Sequence, residues 1–349
     1  MGNIQGKDKW FGITGAVLLL CAALLQGLAR KTVWFGNWYS QIIYPVLVST
    51  AGRFFGLFPF SAVEMGLYVL ITGILIYGIL HIKKPVMLLT RTLFIIGFLL
   101  FVYTTNCGIN YYAQAFSQKA GLTMKKSSAD ELYELCQYLI QQAILNETDE
   151  SYAGNEKEWK AAGVAAMAGL ADEYPSLAGY YPRPKEVTVS RILSVQQLCG
   201  IYSPFTIEAN FNGEMPDYNI PHTICHELSH LRGFMREDEA NFIGYMACIN
   251  SDNQAFRYSG YLTGWVYAGN ALAKADRERY LELTALLSEQ MRTDLTENNV
   301  FWEQYEGKIA EVSTQMNDTY LKMNDQEDGV QSYGRFVDLM LSMRRANQE

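Results

Sequence analysis

The stretch "PHTICHELSHLRGFMREDEANF", residues 221–242, holds three of the chain's four histidines and a tight acidic cluster. His226 and His230 are four apart in HELSH. On a helix they share one face, about 6 Å apart along the axis, close enough for two imidazoles to grip one ion. Glu227 follows the first histidine and lies beside such an ion without filling the same position. There it can take a proton from a metal-activated water, the role this motif assigns it. Pro221 suits a first helical turn, Ile224, Cys225, Leu228 and Leu231 anchor the helix in a core, and Gly233 offers a stop.

A tetrahedral catalytic zinc needs a third protein ligand and leaves a fourth position for water. His222 does not supply it. Three histidines at i, i+4 and i+8 span roughly 12 Å, too far for one ion with bonds near 2 Å. His222 is expected to support the site from behind or to serve helix entry. Cys225 points about 100° away from its neighbour His226 and reads as a core thiol. The acids of "REDEANF" are the better source. Glu237 and Asn241 share one face of a second helix, Glu239 and Ile243 another. Asp238 reads as a charge complementing the helix dipole. The residues themselves leave Glu237 and Glu239 both open as ligand.

The rest of the chain bounds the context. It has 349 residues, 18% charged and 13% aromatic, with net charge −8 and no basic run, which sets nucleic acid aside. Six cysteines show no CxxC pair, against a zinc ribbon or disulfide framework. Three apolar runs, at about 11–29, 62–82 and 86–105, each approach the ~20 residues needed to cross a bilayer. The first is followed by Arg30-Lys31 rather than a small-residue cleavage site and reads as an uncleaved anchor. Between the first two, about 32–58, Trp34, Trp38 and Tyr39 mark an interfacial segment. Ser61 and Glu64 open the second span as a capping box.

Residues 1–109 therefore form a membrane region and 110–349 one soluble domain, α+β and mostly helical with a small sheet. Lys7, Lys9, Lys83, Lys84 and Arg91 face the cytoplasm if the N-terminus is inside, against Arg30, Lys31, Arg53 and Lys119 outside. The positive-inside rule then places the C-terminal domain outside the cytoplasm. In that domain a Ser128-x-x-Glu131 box opens a helix, "EKEWKAAGVAAMAGLADEY" reads as another, and helices follow residue 253. "EVTVSRIL" and "PFTIEANFN" read as strands, the second half-exposed by its alternation.

HExxH followed by Glu-x-x-x-Asp resembles the gluzincin group of zinc metallopeptidases. The resemblance implies a gluzincin-like fold, one zinc per chain, and ligands His226, His230 and Glu237, with Asn241 standing where an aspartate usually supports a zinc histidine. "EDEAN" is also similar to the E-x-E-A-N segment of small HExxH peptidases that cleave repressors. More widely, the three spans with "YSQIIYP", "FGLFPFSAVE", "GINYYA", "GIYSPFTIEAN" and "DGVQSYGR" look like an uncharacterised family of bacterial membrane proteins carrying an HExxH domain.

The gluzincin likeness further implies an edge strand that pairs with extended peptide. Thr206, Ile207, Glu208, Ala209 and Asn210 of "PFTIEANFN" are its candidates here. An oxyanion donor is also expected, from Tyr258, Tyr261, Tyr333 or Arg335. The expectation is a membrane-anchored zinc metalloendopeptidase acting on a peptide or protein, with Glu227 as general base. The alternative is a non-enzymatic membrane sensor or peptide-binding scaffold on the same fold. A transport pathway has little behind it, since the spans carry no paired charges.

Overall fold

The computed structural model describes residues 6–125, 127–324, 326 and 333–346, the side chains of 333 and 334 excepted. The chain divides into two compact units, Met1–Gln114 with Ser203–Glu208, and Ala115–Tyr202 with Ala209–Glu349.

The first unit contains α1 (Gly6–Lys31), α2 (Ala62–Leu80) and α3 (Pro85–Asn106). Among the described residues these three are long and apolar enough to cross a membrane. They coincide with the expected runs at about 11–29, 62–82 and 86–105: the first is longer by several residues, the second ends at Leu80, and the third gains one residue at each end. α1 packs along α3 at a crossing of small residues: a Cβ built on Gly97 would fall 2.5 Å from the Gly15 carbonyl oxygen. Without side chains at that point the two backbones touch, as membrane helices do when dispersion drives their association. The expected interfacial segment is a run of short helical turns over 33–56, with Tyr39 and Tyr44 buried and Trp34 and Trp38 exposed.

Ser61 caps α2 as its sequence indicates, its Oγ accepting from Glu64 N at 3.3 Å. The Glu64 carboxylate accepts from Tyr68 Oη at 2.9 Å. The first two amides of α2 are met from far along the chain. Ala62 N and Val63 N donate to the Glu208 carboxylate at 3.2 and 2.9 Å. Asn106, at the end of α3, donates to Pro204 O at 2.7 Å. The segment Ser203–Glu208 thus belongs to this unit through specific hydrogen bonds.

The second unit is mostly helical. α4 (Ala129–Leu145) begins with the Ser128–Glu131 capping box, both reciprocal bonds formed. α5 (Glu156–Gly169) follows, then β1 (Lys185–Glu186), β2 (Gly200–Ser203) and β3 (Glu208–Phe211). Next come α6 (Asn219–Leu231) and α7 (Glu237–Ile249), the two helices of the histidine and acidic stretch. α8 (Gln254–Ala275), α9 (Arg277–Thr284), α10 (Glu289–Glu303), α11 (Lys308–Met323) and α12 (Tyr333–Ala346) complete it. α6 lies against α5, α7 and α8, while α7 also meets α12, so α6 and α7 occupy the centre. Phe116, Phe234 and Phe242 pack ring to ring beside them.

Two strand expectations need correction. Of "EVTVSRIL", residues 186–193, only Glu186 lies in a strand, β1, before the chain turns into a short helix at Arg191–Ser194. "PFTIEANFN" supplies β3, but Thr206 and Ile207 lie in the preceding turn, Ile207 with φ 52°. All four residues of β3 are buried, Glu208 and Asn210 included. The reason is the sheet order, β1-β3-β2, which makes β3 the central strand. It pairs in parallel with β1, Lys185 opposite Asn210 and Glu186 opposite Phe211. A central strand has no open edge for peptide. That property falls to β1 and β2.

Candidate metal centre

α6 is apolar on the sides that meet its neighbours, and nearly every residue from Ile220 to Leu231 is buried. It ends where the sequence places Gly233: that residue has φ 103°, and Phe234 N returns to Ser229 O at 3.1 Å. A left-handed residue just past the last turn reverses the chain at no steric cost to glycine. The reversal lays α7 along α6.

This brings His226, His230 and Glu237 together. Each offers one ligand atom, and the three atoms lie within 4.8 Å of one another. His226 Nε2 is 3.3 Å from Glu237 Oε2, and His230 Nε2 is 3.6 Å from Glu237 Oε1. Ligands bound at about 2.0–2.1 Å in a tetrahedron stand roughly 3.3 Å apart, and the two histidine–glutamate separations lie near that value. The donor chemistry suits zinc as well. His226 Nδ1 donates to Asn241 Oδ1 at 3.0 Å, and His230 Nδ1 donates to Phe234 O at 2.8 Å. With Nδ1 engaged in this way, each ring turns Nε2 toward the cluster, and the neutral imidazole offers its lone pair there.

The two supporting residues are joined. His222 Nε2 donates to the Asn241 carbonyl at 3.2 Å, while the Asn241 side chain serves His226. His222 itself is buried, and burial first, then the charge of His226, pushes it down to about 3, which keeps it neutral. Its ring centroid is 6.3 Å from that of His226, against 4.6 Å between His226 and His230.

The electrostatics of the cluster's own side chains follow from burial and proximity. Desolvation would raise Glu237, yet His230 and His226 outweigh it and hold the carboxyl down at about 2. Desolvation lowers His230 to about 4, with Glu237 pulling the other way. For His226 the hydrogen bond and charge of Glu237 overcome desolvation, and its value is raised. Glu227 is 5% exposed; desolvation pushes it up to about 8, opposed by His226 and assisted by Glu237. Its Oε2 has no hydrogen-bond partner among the described residues.

Glu239 faces elsewhere. Its Oε1 accepts from Phe116 N at 2.7 Å and lies 3.5 Å from Arg236. Of the two glutamates, the structure brings Glu237 to the histidines. The expected oxyanion donors take other partners. Tyr258 Oη donates to Asp294, Tyr261 packs against Tyr138 and Tyr245, and Arg335 Nε donates to Asp238 at 2.8 Å. The side chain of Tyr333 lies outside the described residues.

Two contributors have only faint sequence signals. The main chain of Tyr202 hydrogen-bonds to Glu227, and a Cβ on Gly200 would fall 2.6 Å from Glu227 Oε1. Both lie on β2, immediately before residues 204–212; "GIYS" with its paired β-formers is the signal. Phe234 acts through a carbonyl, which no side-chain pattern reveals.

The chain belongs to a family described as a protein of unknown function (DUF3810), whose model matches residues 39–341. No curated protein and no solved structure matches it.

Proposed function

For this member of the family we propose a membrane-anchored, zinc-dependent metallopeptidase. His226, His230 and Glu237 hold the metal, and Glu227 is the general base. The observation that carries this reading is the convergence of two Nε2 atoms and one carboxylate beside a buried carboxylate oxygen that has no hydrogen-bond partner among the described residues. A metal-binding site alone has no use for Glu227 in that place.

Zinc bound by these three residues supplies Lewis-acid polarisation of a water and of the substrate carbonyl. The chain's own residues do the rest. Asn241 and the Phe234 carbonyl keep both imidazoles in the tautomer that binds. Glu227 accepts the proton of the attacking water and returns it to the departing amine. Its low-dielectric position favours that role, since a carboxylate poorly stabilised by its surroundings is a stronger base. An extended peptide pairs with the open edge of β2, whose main chain already lies on Glu227. The three spans fix the enzyme in the bilayer, with the N-terminus cytoplasmic and the second unit outside. Reporter fusions at the two termini test that orientation.

The deciding experiment measures metal and turnover together on the full chain in detergent. The wild type is expected to bind about one zinc and cleave members of a fluorogenic peptide library. Glu227→Gln is expected to keep the zinc and lose cleavage. Zinc retained by the wild type without turnover of any peptide would instead establish the alternative, a peptide-binding scaffold.

A further inference from the structure

We propose that Gly200 is a positioning residue for Glu227, and that its missing side chain is what holds the base in place. The inference rests on the metallopeptidase reading above. A Cβ at Gly200 would lie 2.6 Å from Glu227 Oε1, 2.7 Å from Glu227 Cγ and 2.9 Å from Asn210 O. Carbon atoms do not approach so closely, so any side chain there displaces one of these groups. Gly200 is not among the glycines with positive φ. The position therefore needs space, not the backbone freedom for which glycine is more often required.

Which group would move follows from what holds each. Asn210 O belongs to the central strand, flanked on both sides, and the ladder is tied again beyond it where Asn212 N donates to Cys199 O at 2.8 Å. Glu227 has the looser hold. It keeps the main-chain bond from Tyr202, but its Oε2 makes no hydrogen bond among the described residues, and a side chain with three rotatable bonds yields before a sheet does. A methyl at 200 thus pushes the carboxylate off its site. His226 and His230 are held by Asn241 and Phe234, and the atoms nearest a Cβ at Gly200 belong to Glu227 and Asn210, so the metal ligands stay.

The test compares Gly200→Ala with Glu227→Gln in the full chain, loaded with zinc for turnover and with cobalt for spectroscopy. Gly200→Ala is expected to retain about one metal per chain and lose about 100-fold in kcat on the peptide library, with KM little changed. The pH midpoint of its cobalt absorption bands should move to that of Glu227→Gln. Glu227→Asp withdraws the carboxylate by one methylene and clears the methyl. The double variant G200A/E227D should therefore exceed the product of the two single losses, and it carries the test if G200A folds poorly. A double variant no better than that product overturns the proposal. So does a G200A protein with wild-type kcat and cobalt spectrum, or one that has lost its metal. Failure of the wild type itself to bind metal removes the peptidase reading together with this one. A wild type that binds and cleaves, beside an unaffected G200A, removes this one alone.

Discussion

His226 Nε2 stands 3.3 Å from Glu237 Oε2, although the residues belong to different helices separated by a glycine reversal. Their closeness joins the HELSH helix to the acidic one. It also distinguishes two glutamates that the sequence leaves side by side, because Glu239, two positions on, is occupied by Phe116 N at 2.7 Å.

Metal content therefore separates Glu237 from Glu239. Glu237→Ala is expected to abolish zinc binding by the purified chain. Glu239→Ala is expected to keep about one zinc and to lose stability, by about 1–3 kcal/mol for a buried amide left unpaired. Elemental analysis and a melting curve on each variant check both halves. Zinc lost from the Glu239 variant alone would reverse the ligand assignment.

Asn241 sets the orientation of His226 through one hydrogen bond of 3.0 Å. Asn241→Ala should weaken zinc affinity by about 10–100-fold, the usual effect of removing such a partner. Asn241→Asp should strengthen it, since a carboxylate behind the imidazole makes Nε2 a better donor. Competition with a fluorescent zinc chelator gives both constants.

The metal-free protein has a pH signature. Burial raises Glu227 from 4.5 to about 8, so between those values the folded chain holds a proton that the unfolded chain releases. Stability contributed by this group is greatest below 4.5 and declines as pH rises to about 8. Glu227→Gln cannot lose that proton. Its melting temperature should match the wild type near pH 4.5 and exceed it by a few degrees at pH 8 and above. A difference that stays flat across the range would show that Glu227 is not buried in this way.

Glu208 tests the membrane unit independently of any catalysis. It accepts the first two amides of α2, Ala62 N and Val63 N. Glu208→Ala should cost about 1–2 kcal/mol, as loss of a helix cap does. Deuterium exchange should quicken in the first turn of α2 and remain unchanged toward Leu80. Glu208→Gln keeps an acceptor and should fall between. Equal exchange in all three proteins would rule out the cap.

Much of this molecule is legible in short windows. The three long apolar helices announce themselves by length and hydropathy, the Ser128–Glu131 box by a spacing of three, and the pairing of His226 with His230 by a spacing of four. Gly233 marks the reversal that the second helix needs. Each of these depends on residues within a turn or two of one another, where backbone geometry allows few outcomes.

What the chain does over longer distances is not written in that way. "PFTIEANFN" alternates like a half-exposed strand, yet β3 is buried on both faces because β1 and β2 flank it. The tyrosines at 258 and 261 look available in the sequence, and Asp294 and Tyr138 claim them in the fold. By itself the sequence determined the three long apolar helices, the helix of the histidines and the chemistry of their side chains, because periodicity and capping act locally. Only the tertiary structure decided that Glu237 meets the histidines, that β2 rather than β3 is the open edge, and that Gly200 lies on Glu227. Those outcomes depend on which faces and strands pack together, and packing is settled among residues far apart in the chain.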